Sequence, residues 1–455
     1  MIGGFKTVSR LALVAAAGMI AGSVSAKAAD LGGNCCADLE ERVAELEATT
    51  ARKGNRKVSL EVSGHVNEMM VFWSGDQAPL APNVIAPDSG FAVATNNTSR
   101  SRFRFKGSAK INADWSAGFL IEIGVRGTNN SQGAGFHAND LNEKPGLDVR
   151  HEALYLASKT FGTVWLGHTG SATEGITEIN LGATVGQGPD TGPYLGGFRP
   201  LGAVMLVNGV AAQLNWQQIA LGTGGATFAG EGDRRDIVMY QTPSLAGFIL
   251  SAAAGSDEFY DVALRYAGEF NGVRIAAGVG YQRSREQGGT GVAGTPALAG
   301  STAAKGFAGG CRVGADSRVD CEGYGASASV MHVPTGLYVA GSYGLTVDNN
   351  SINEQDEGWY VTAGINKKFF ALGATNIYGE YGISNRQIGL GAALTNAAQS
   401  EMEWYGVGIT QAIDAAAMDI YLNYKHYEGC VSVAATCDTP VADLDIIALG
   451  AIIRF

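Results

Sequence analysis

From Lys57 onward the chain alternates between apolar and polar positions. Val58, Leu60, Val62 and Val66 are separated by Ser59, Glu61, Ser63 and His65. The same period of two runs through Trp115, Ala117, Phe119, Ile121, Ile123 and Val125, and through Val273, Ile275, Ala277, Val279 and Tyr281. It recurs in Leu337, Val339, Tyr343, Leu345 and Val347, and in Met418, Ile420, Leu422 and Tyr424. Successive strand residues point to opposite faces, so this period predicts half-buried β-strands. Sixteen are predicted, at 57–72, 99–110, 115–126, 147–158, 162–168, 234–241, 247–255, 259–268, 272–283, 323–332, 337–347, 357–367, 374–384, 401–412, 416–427 and 443–455. Tight connections at 112–114, 159–161, 242–244, 271–272 and 334–336 alternate with longer ones. The longest connection, 169–233, follows the fifth strand.

An even strand number with short turns on one side and long loops on the other is the asymmetry of outer-membrane barrels. A soluble sandwich would need the apolar faces of two sheets to meet. Here the second face is built of Gly, Ser, Asn, Arg and Glu, which suits a wall between lipid and water. Closure then satisfies every backbone group in a water-free layer. Composition agrees: Gly is 65 of 455 residues and charged residues are 16%, against ~7% and ~25% in ordinary chains. Mean hydropathy is +0.04, and past the N-terminus no run approaches the ~18 apolar residues of a membrane helix. A helical transporter is excluded, and a soluble enzyme with a charged surface is disfavoured. The chain ends Ile452-Ile453-Arg454-Phe455, and a terminal Phe on an apolar strand is similar to the insertion signal of outer-membrane barrels.

Residues 1–28 read as a signal peptide, with Lys6 and Arg10 ahead of the apolar run Leu11–Ala21 and small residues up to Ala28. Their removal takes away Lys6, Arg10 and Lys27 and no acid, so the net charge moves from −11 to −14. An acidic exported chain argues against a nucleic-acid partner. Residues 29–56 form a periplasmic helical segment. Asp38 caps it, and Leu39, Val43, Leu46 and Thr50 follow a coiled-coil seam. It is either a tether or a small bundle that joins subunits. Residues 57–455 form the barrel.

Six cysteines in an exported chain suggest disulfides. Cys311 and Cys321 share one polar Gly-rich segment, as do Cys430 and Cys437, so two local bridges are expected. Cys35 and Cys36 are adjacent and serve either as a bridge between subunits or as idle thiols. The six histidines show no metal-ligand spacing, no phosphate-cradling Gly-rich motif occurs, and no Ser/His/acid cluster assembles. No catalytic residue, metal or cofactor is therefore expected.

Arg100, Arg102, Arg104 and Lys106 stand at strict spacing of two, opposite Phe103 and Phe105. Cations facing lipid would each cost ~2–4 kcal/mol at the bilayer midplane. The ladder is therefore expected to line the lumen, joined by Arg126, Arg150, Arg265 and Arg274.

Three local patterns in this order carry a family resemblance. They are Asp38–Glu47 leading into Val58-Ser59-Leu60-Glu61-Val62-Ser63-Gly64, the turn Tyr240-Gln241-Thr242-Pro243-Ser244-Leu245-Ala246-Gly247-Phe248, and the terminal Phe455. With sixteen strands, the chain resembles the alphaproteobacterial family of trimeric general porins. The resemblance implies an all-β fold, a 16-stranded antiparallel transmembrane β-barrel with an inward-folded third loop. It implies passive diffusion of small hydrophilic solutes and ions across the bacterial outer membrane. The partners it implies are two further copies in a homotrimer, outer-membrane lipid and lipopolysaccharide, and the barrel-assembly machinery. Glu174, Glu178 and Asp190 on the third loop would face the ladder across a narrowed lumen and set up a transverse field. The apolar piece Ala203–Val210 within that loop packs on the wall or forms an extra hairpin. The alternatives are a substrate-selective channel, for instance for sugars, and less so an outer-membrane enzyme or an adhesin. Tyr378, Tyr421 and Tyr427 point inward in this phasing, too few for an aromatic track.

Overall fold

The computed structural model describes residues 57–75, 89–126, 146–182, 204–207, 210–213, 228–256, 258–285, 320–350, 354–386, 399–432 and 439–455. The expected signal peptide (1–28) and helical segment (29–56), with Cys35 and Cys36, lie outside the described residues.

Strands dominate: β1 (Ser59–Gly75), β2 (Ser89–Thr95), β3 (Arg102–Lys110), β4 (Trp115–Arg126), β5 (Gly146–Ser158) and β6 (Gly162–Gly170). A separate hairpin, β7 (Val204–Val207) and β8 (Val210–Gln213), follows. The apolar stretch 203–210 thus contributes to an extra hairpin. Then come β9 (Arg234–Gln241), β10 (Phe248–Gly255), β11 (Tyr260–Phe270), β12 (Val273–Ser284), β13 (Cys321–His332), β14 (Leu337–Asp348), β15 (Glu354–Phe370), β16 (Gly373–Arg386), β17 (Gln399–Ile413), β18 (Met418–Ser432) and β19 (Thr439–Arg454).

All but the hairpin form one antiparallel sheet, each strand beside its neighbour in the chain, with β6 on β9 across the longest connection. The sheet closes on itself where β1 pairs with β19, from His65↔Arg454 to Gly75↔Leu444. Phe455 completes the seam: its N–H donates to Gly64 O at 3.1 Å, and Gly64 N–H donates to Phe455 O at 2.9 Å.

The barrel has sixteen staves, because β2 and β3 are two parts of one. Both pair with β1, β2 with its second half and β3 with its first. Between them a single 3-10 turn, Asn97–Ser99, interrupts the strand. The Asn96 side chain accepts from Thr98 N–H at 3.0 Å and its Nδ2 donates to Tyr421 Oη at 2.8 Å. Tyr421 Oη donates in turn to Asn67 Oδ1 at 2.9 Å, and Asn67 Nδ2 donates to Ser99 O at 2.9 Å. The break is therefore held by a buried amide–phenol–amide chain. This extends the second stave beyond the expected 99–110, into residues read as loop.

The two faces follow the expected parity. On β14, Leu337, Val339 and Tyr343 are exposed while Tyr338 and Ala340 are buried. Across most of the sheet the outward row is apolar, as lipid contact requires, with Glu68, Glu152 and Asp236 as charged exceptions. Near the long-loop rim it ends in a row of aromatics. Tyr281 lies opposite Tyr324, Tyr343 opposite Trp359 and Tyr381 opposite Tyr405. The Tyr281 and Tyr324 rings are 5.2 Å apart, and those of Trp359 and Tyr381 5.1 Å. Such a girdle marks a membrane–water interface. Just beyond it stand acids such as Glu322, whose Oε2 accepts from Tyr324 Oη at 2.7 Å.

Replacing Tyr421 by Phe removes the one hydroxyl that joins Asn67 to Asn96. Loss of hydrogen bonding at buried polar groups costs about 1–3 kcal/mol. The expected outcome is a lower urea midpoint for the Tyr421→Phe barrel in detergent, with unchanged strand content by circular dichroism. A wild-type midpoint would show that the chain does not hold the break.

Candidate functional site: the inner wall

The charged centre of the inner wall is built on β3, β4 and β5. Alternation turns Arg102 and Arg104 inward on β3, and the register sets Glu122 of β4 directly opposite Arg104. On β5 the ladder slips between Glu122↔His151 and Ile123↔Val149, leaving Arg150 as the extra residue of a β-bulge. Arg150 and His151 consequently both point inward. Arg150 Nε donates to Glu122 Oε1 at 2.8 Å, Arg102 Nη1 to the same oxygen at 3.2 Å, and Arg104 Nε to Oε2 at 2.8 Å. Three guanidinium groups thus converge on one carboxylate that is wholly buried. A buried carboxylate is tolerated only when it is paired and hydrogen-bonded this fully. The cations outnumber it, and the Arg104 side chain stays 42% exposed. Arg100 pairs with Asp148 at 2.7 Å. Lys106 is exposed, and His151 Nδ1 lies 3.1 Å from Thr169 Oγ1.

Two other expected cations have partners outside this cluster. Arg265 donates from Nη1 to Ala172 O at 2.7 Å and from Nη2 to Glu174 O at 2.6 Å, so it clamps backbone. Arg274 pairs with Glu269 at 3.0 Å beside the short turn between β11 and β12. The side chain of Arg126 and the whole of Asp190 lie outside the described residues. Further round the wall, Lys425 meets Glu380 at 2.6 Å and Arg386 meets Asp356 at 2.8 Å, all buried. The inward phase of these residues is readable from sequence, but their partners need the register.

Residues 171–182 follow β6 and are fastened to inward side chains of the following staves. Asp261 on β11 accepts from Thr173 N–H and Oγ1, each at 2.8 Å. Ser327 and Ser329 on β13 accept from the N–H groups of Ile179 and Leu181 at 3.2 and 3.1 Å. Asn376 on β16 donates to Gly182 O. The returning limb, 228–233, lies beside it. The buried Glu231 carboxylate accepts from Ile176 N–H at 3.0 Å, Thr177 N–H at 2.8 Å and the Thr177 hydroxyl. Burial pushes the Glu231 carboxyl well above the usual carboxylate range, and the nearby Glu178 charge adds to this.

The staves under both limbs carry glycine. A Cβ at Gly280 would stand 2.7 Å from Thr173 Cγ2, and one at Gly325 2.5 Å from Ile176 Cγ2 and 2.8 Å from Gly230 O. A Cβ at Gly344 would collide with Ala229 O. These positions form a bed on which the connection lies at backbone distance.

One expectation is corrected. Glu174 does not stand across the lumen from the basic ladder. It is ion-paired with Arg234 at the start of β9, on the ladder's own side of the barrel. Arg234 follows Asp233, so the chain itself supplies a cation where the connection rejoins the wall. Glu178 is exposed.

Cys321 and Cys430 are each disulfide-bonded, and Cys311 and Cys437 lie outside the described residues. Tyr378, Tyr421 and Tyr427 are buried on the inner face. His426, Glu428 and Asp443 bring one ligand atom each within 4.8 Å near the long-loop rim, a grouping that the spacing does not reveal. His426 Nδ1 already contacts Asp445 at 2.9 Å.

The chain was compared with known proteins. A family model described as Gram-negative porin matches residues 12–445. Comparison with curated protein sequences gives no match. Among solved structures, the anion-selective porin from Comamonas acidovorans is similar, with TM-score 0.53 and 14% identity over 88% of this chain and 100% of that one. OprB of Pseudomonas putida gives TM-score 0.51 and 11% identity over 92% and 97%. The outer membrane channel DcaP of Acinetobacter baumannii gives 0.50 and 13% over 89% and 100%. The closed wall, its two faces and the family match lead to one conclusion: the chain belongs to the Gram-negative porin family and forms an outer-membrane channel for passive diffusion.

Proposed function

We propose that this chain is a general diffusion porin of the alphaproteobacterial trimeric kind, in which the 169–233 connection folds inward and narrows the passage for small hydrophilic solutes and ions. The observation that carries this reading is the fastening of 171–182 to inward side chains from β11 to β16. A segment held there takes cross-section from the lumen. Sixteen strands leave room for an aqueous channel around it.

The guanidinium group on Glu122 would act as the charged element of the narrow zone, with Arg100 and Lys106 above and below. Glu174 and Glu178 would enter the same zone, with Glu174 moderating the ladder through Arg234. Charged rings of this sort sort ions. The reading includes a cleaved signal peptide at 1–28, the helical segment at 29–56 and insertion by the barrel-assembly machinery through Phe455. Local bridges Cys311–Cys321 and Cys430–Cys437 would pin two loops on the lipopolysaccharide side. Three copies assemble side by side in the membrane.

Reversing the ladder tests the site. A monovalent ion ~4 Å from a unit charge in water gains or loses ~1 kcal/mol, which is roughly fivefold in a ratio of rates. Arg102→Glu with Arg104→Glu is expected to raise cation over anion permeability by about that factor, read from reversal potentials in a planar bilayer under a salt gradient. An unchanged reversal potential would place the ladder outside the conducting path.

Releasing the connection tests the narrowing. Glu231→Ala removes a carboxylate that holds two amides and a hydroxyl of the descending limb. The expected result is a higher single-channel conductance with more open-channel noise. Conductance and noise indistinguishable from wild type would sink the proposal that this limb restricts flow.

A further inference from the structure

Beside the aromatic girdle, the outward row of β18 continues into His426 and Glu428, while Tyr427 between them is buried on the inner face. His426 stands opposite Tyr405 of β17 and Asp445 of β19, and Glu428 stands opposite Glu403. Past Tyr427↔Leu444 the β18–β19 register shifts, and the next pair is Gly429↔Val441. Glu428 alone therefore faces two residues of β19, Ala442 and Asp443. This is a β-bulge, a device that re-aims side chains at the rims of barrels. At it, one ligand atom from each of His426, Glu428 and Asp443 lies within 4.8 Å of the others.

Two independent features mark this group. The first is charge. Glu403, Glu428 and Asp443 set three acids side by side across β17, β18 and β19, and like charges directly opposite one another destabilise a sheet. Elsewhere on this rim Asp320 is met by Arg283 and Arg285, each at 3.1 Å. Among the described residues, no lysine or arginine pairs with Glu428 or Asp443. The second is the way the histidine is held. The Tyr405 ring stacks on the imidazole, with centroids 4.8 Å apart and planes at 30°. His426 Nδ1 donates to Asp445 Oδ1 at 2.9 Å, and the same oxygen accepts from Tyr424 Oη at 2.6 Å. A carboxylate only accepts, so the proton of the neutral ring sits on Nδ1 and the lone pair on Nε2. Histidines that bind metal ions are fixed in this manner, with the other ring nitrogen donating to a carboxylate.

We propose that His426, Glu428 and Asp443 form a binding site for a divalent transition-metal ion of the Zn²⁺ class, with Asp445 as the positioning residue of His426. An imidazole nitrogen suits zinc and its neighbours, whereas calcium and magnesium take oxygen ligands. Two carboxylates and a neutral ring match the two charges of the ion. Three protein ligands leave the fourth tetrahedral position to water. The ion ties β18 to β19 on the outer side of the wall, away from the conducting path, and relieves the repulsion between Glu428 and Asp443.

The test is calorimetric titration of Zn²⁺ into the untagged, chelator-stripped protein, purified from its outer membrane in detergent. The expected result is a saturable class of one Zn²⁺ per chain, weakened about tenfold or more by His426→Ala and by Asp443→Asn. Asp445→Ala is expected to weaken it about tenfold, and Asp445→Asn, which keeps an acceptor oxygen for Nδ1–H, recovers most of that loss. A merely structural Asp445 would show no such rescue. Strand content by circular dichroism qualifies each variant, and His426→Gln replaces His426→Ala should the latter fail to fold. Absence of saturable Zn²⁺ binding overturns the proposal. So does an affinity unchanged by removal of His426, which would mean adventitious binding elsewhere. Ca²⁺ or Mg²⁺ bound as tightly as Zn²⁺ overturns it too, since the histidine would then contribute nothing.

Discussion

Everything in this protein depends on one requirement: no backbone N–H or C=O may be left without a partner in a layer that contains no water. The pairing of β1 with β19, finished by Phe455 on Gly64, meets it by removing the last free edge. Closure dictates much else. It makes the stave number even when both ends of the chain emerge at one rim. It divides the residues of each stave between lipid and lumen. It also frees the loops of the far rim from any duty to hold the wall, so their lengths vary.

Inside the wall the same economy governs charge. The inner face is polar, yet its ions are seldom left to water alone. Glu122 gathers three guanidinium groups, Glu380 takes Lys425 and Asp356 takes Arg386. Arg265 is spent on two carbonyl groups of the connection. The glycine bed under Thr173, Ile176 and Ala229 serves the same end, since it lets a second layer of backbone approach the wall and share its side-chain partners. The excess of glycine in the composition is thus partly a record of where one layer of chain lies on another.

What the sequence makes legible is what depends on parity. The sixteen staves, their faces and the inward ladder follow from a period of two. The second stave was only half visible, because in β2 the inward residues are Ala92 and Ala94. Alternation of apolar with apolar carries no signal. Glu122 could be placed on the inner face, but its role as a shared counter-ion arises only when the β3–β4 register sets it opposite Arg104. Arg265 illustrates the converse. Its phase is inward as expected, yet its use is decided by residues more than ninety positions earlier in the chain. Glu174 fails for the same reason, since its partner Arg234 lies at the other end of the connection.

The bulge in β5 has a genetic consequence. Because Arg150 is the extra residue, the strand keeps the same outward faces on both sides of it: Leu147 and Val149 above, Glu152 and Leu154 below. Removing that one residue would restore plain alternation without turning any other side chain over. The third guanidinium on Glu122 is therefore a detachable unit, added or lost by a single in-frame codon. Within a regularly paired stretch of a stave, an insertion or deletion of one codon inverts every face beyond it. At this point the electrostatics of the lumen can change in steps of one charge while the membrane-facing surface stays as it is.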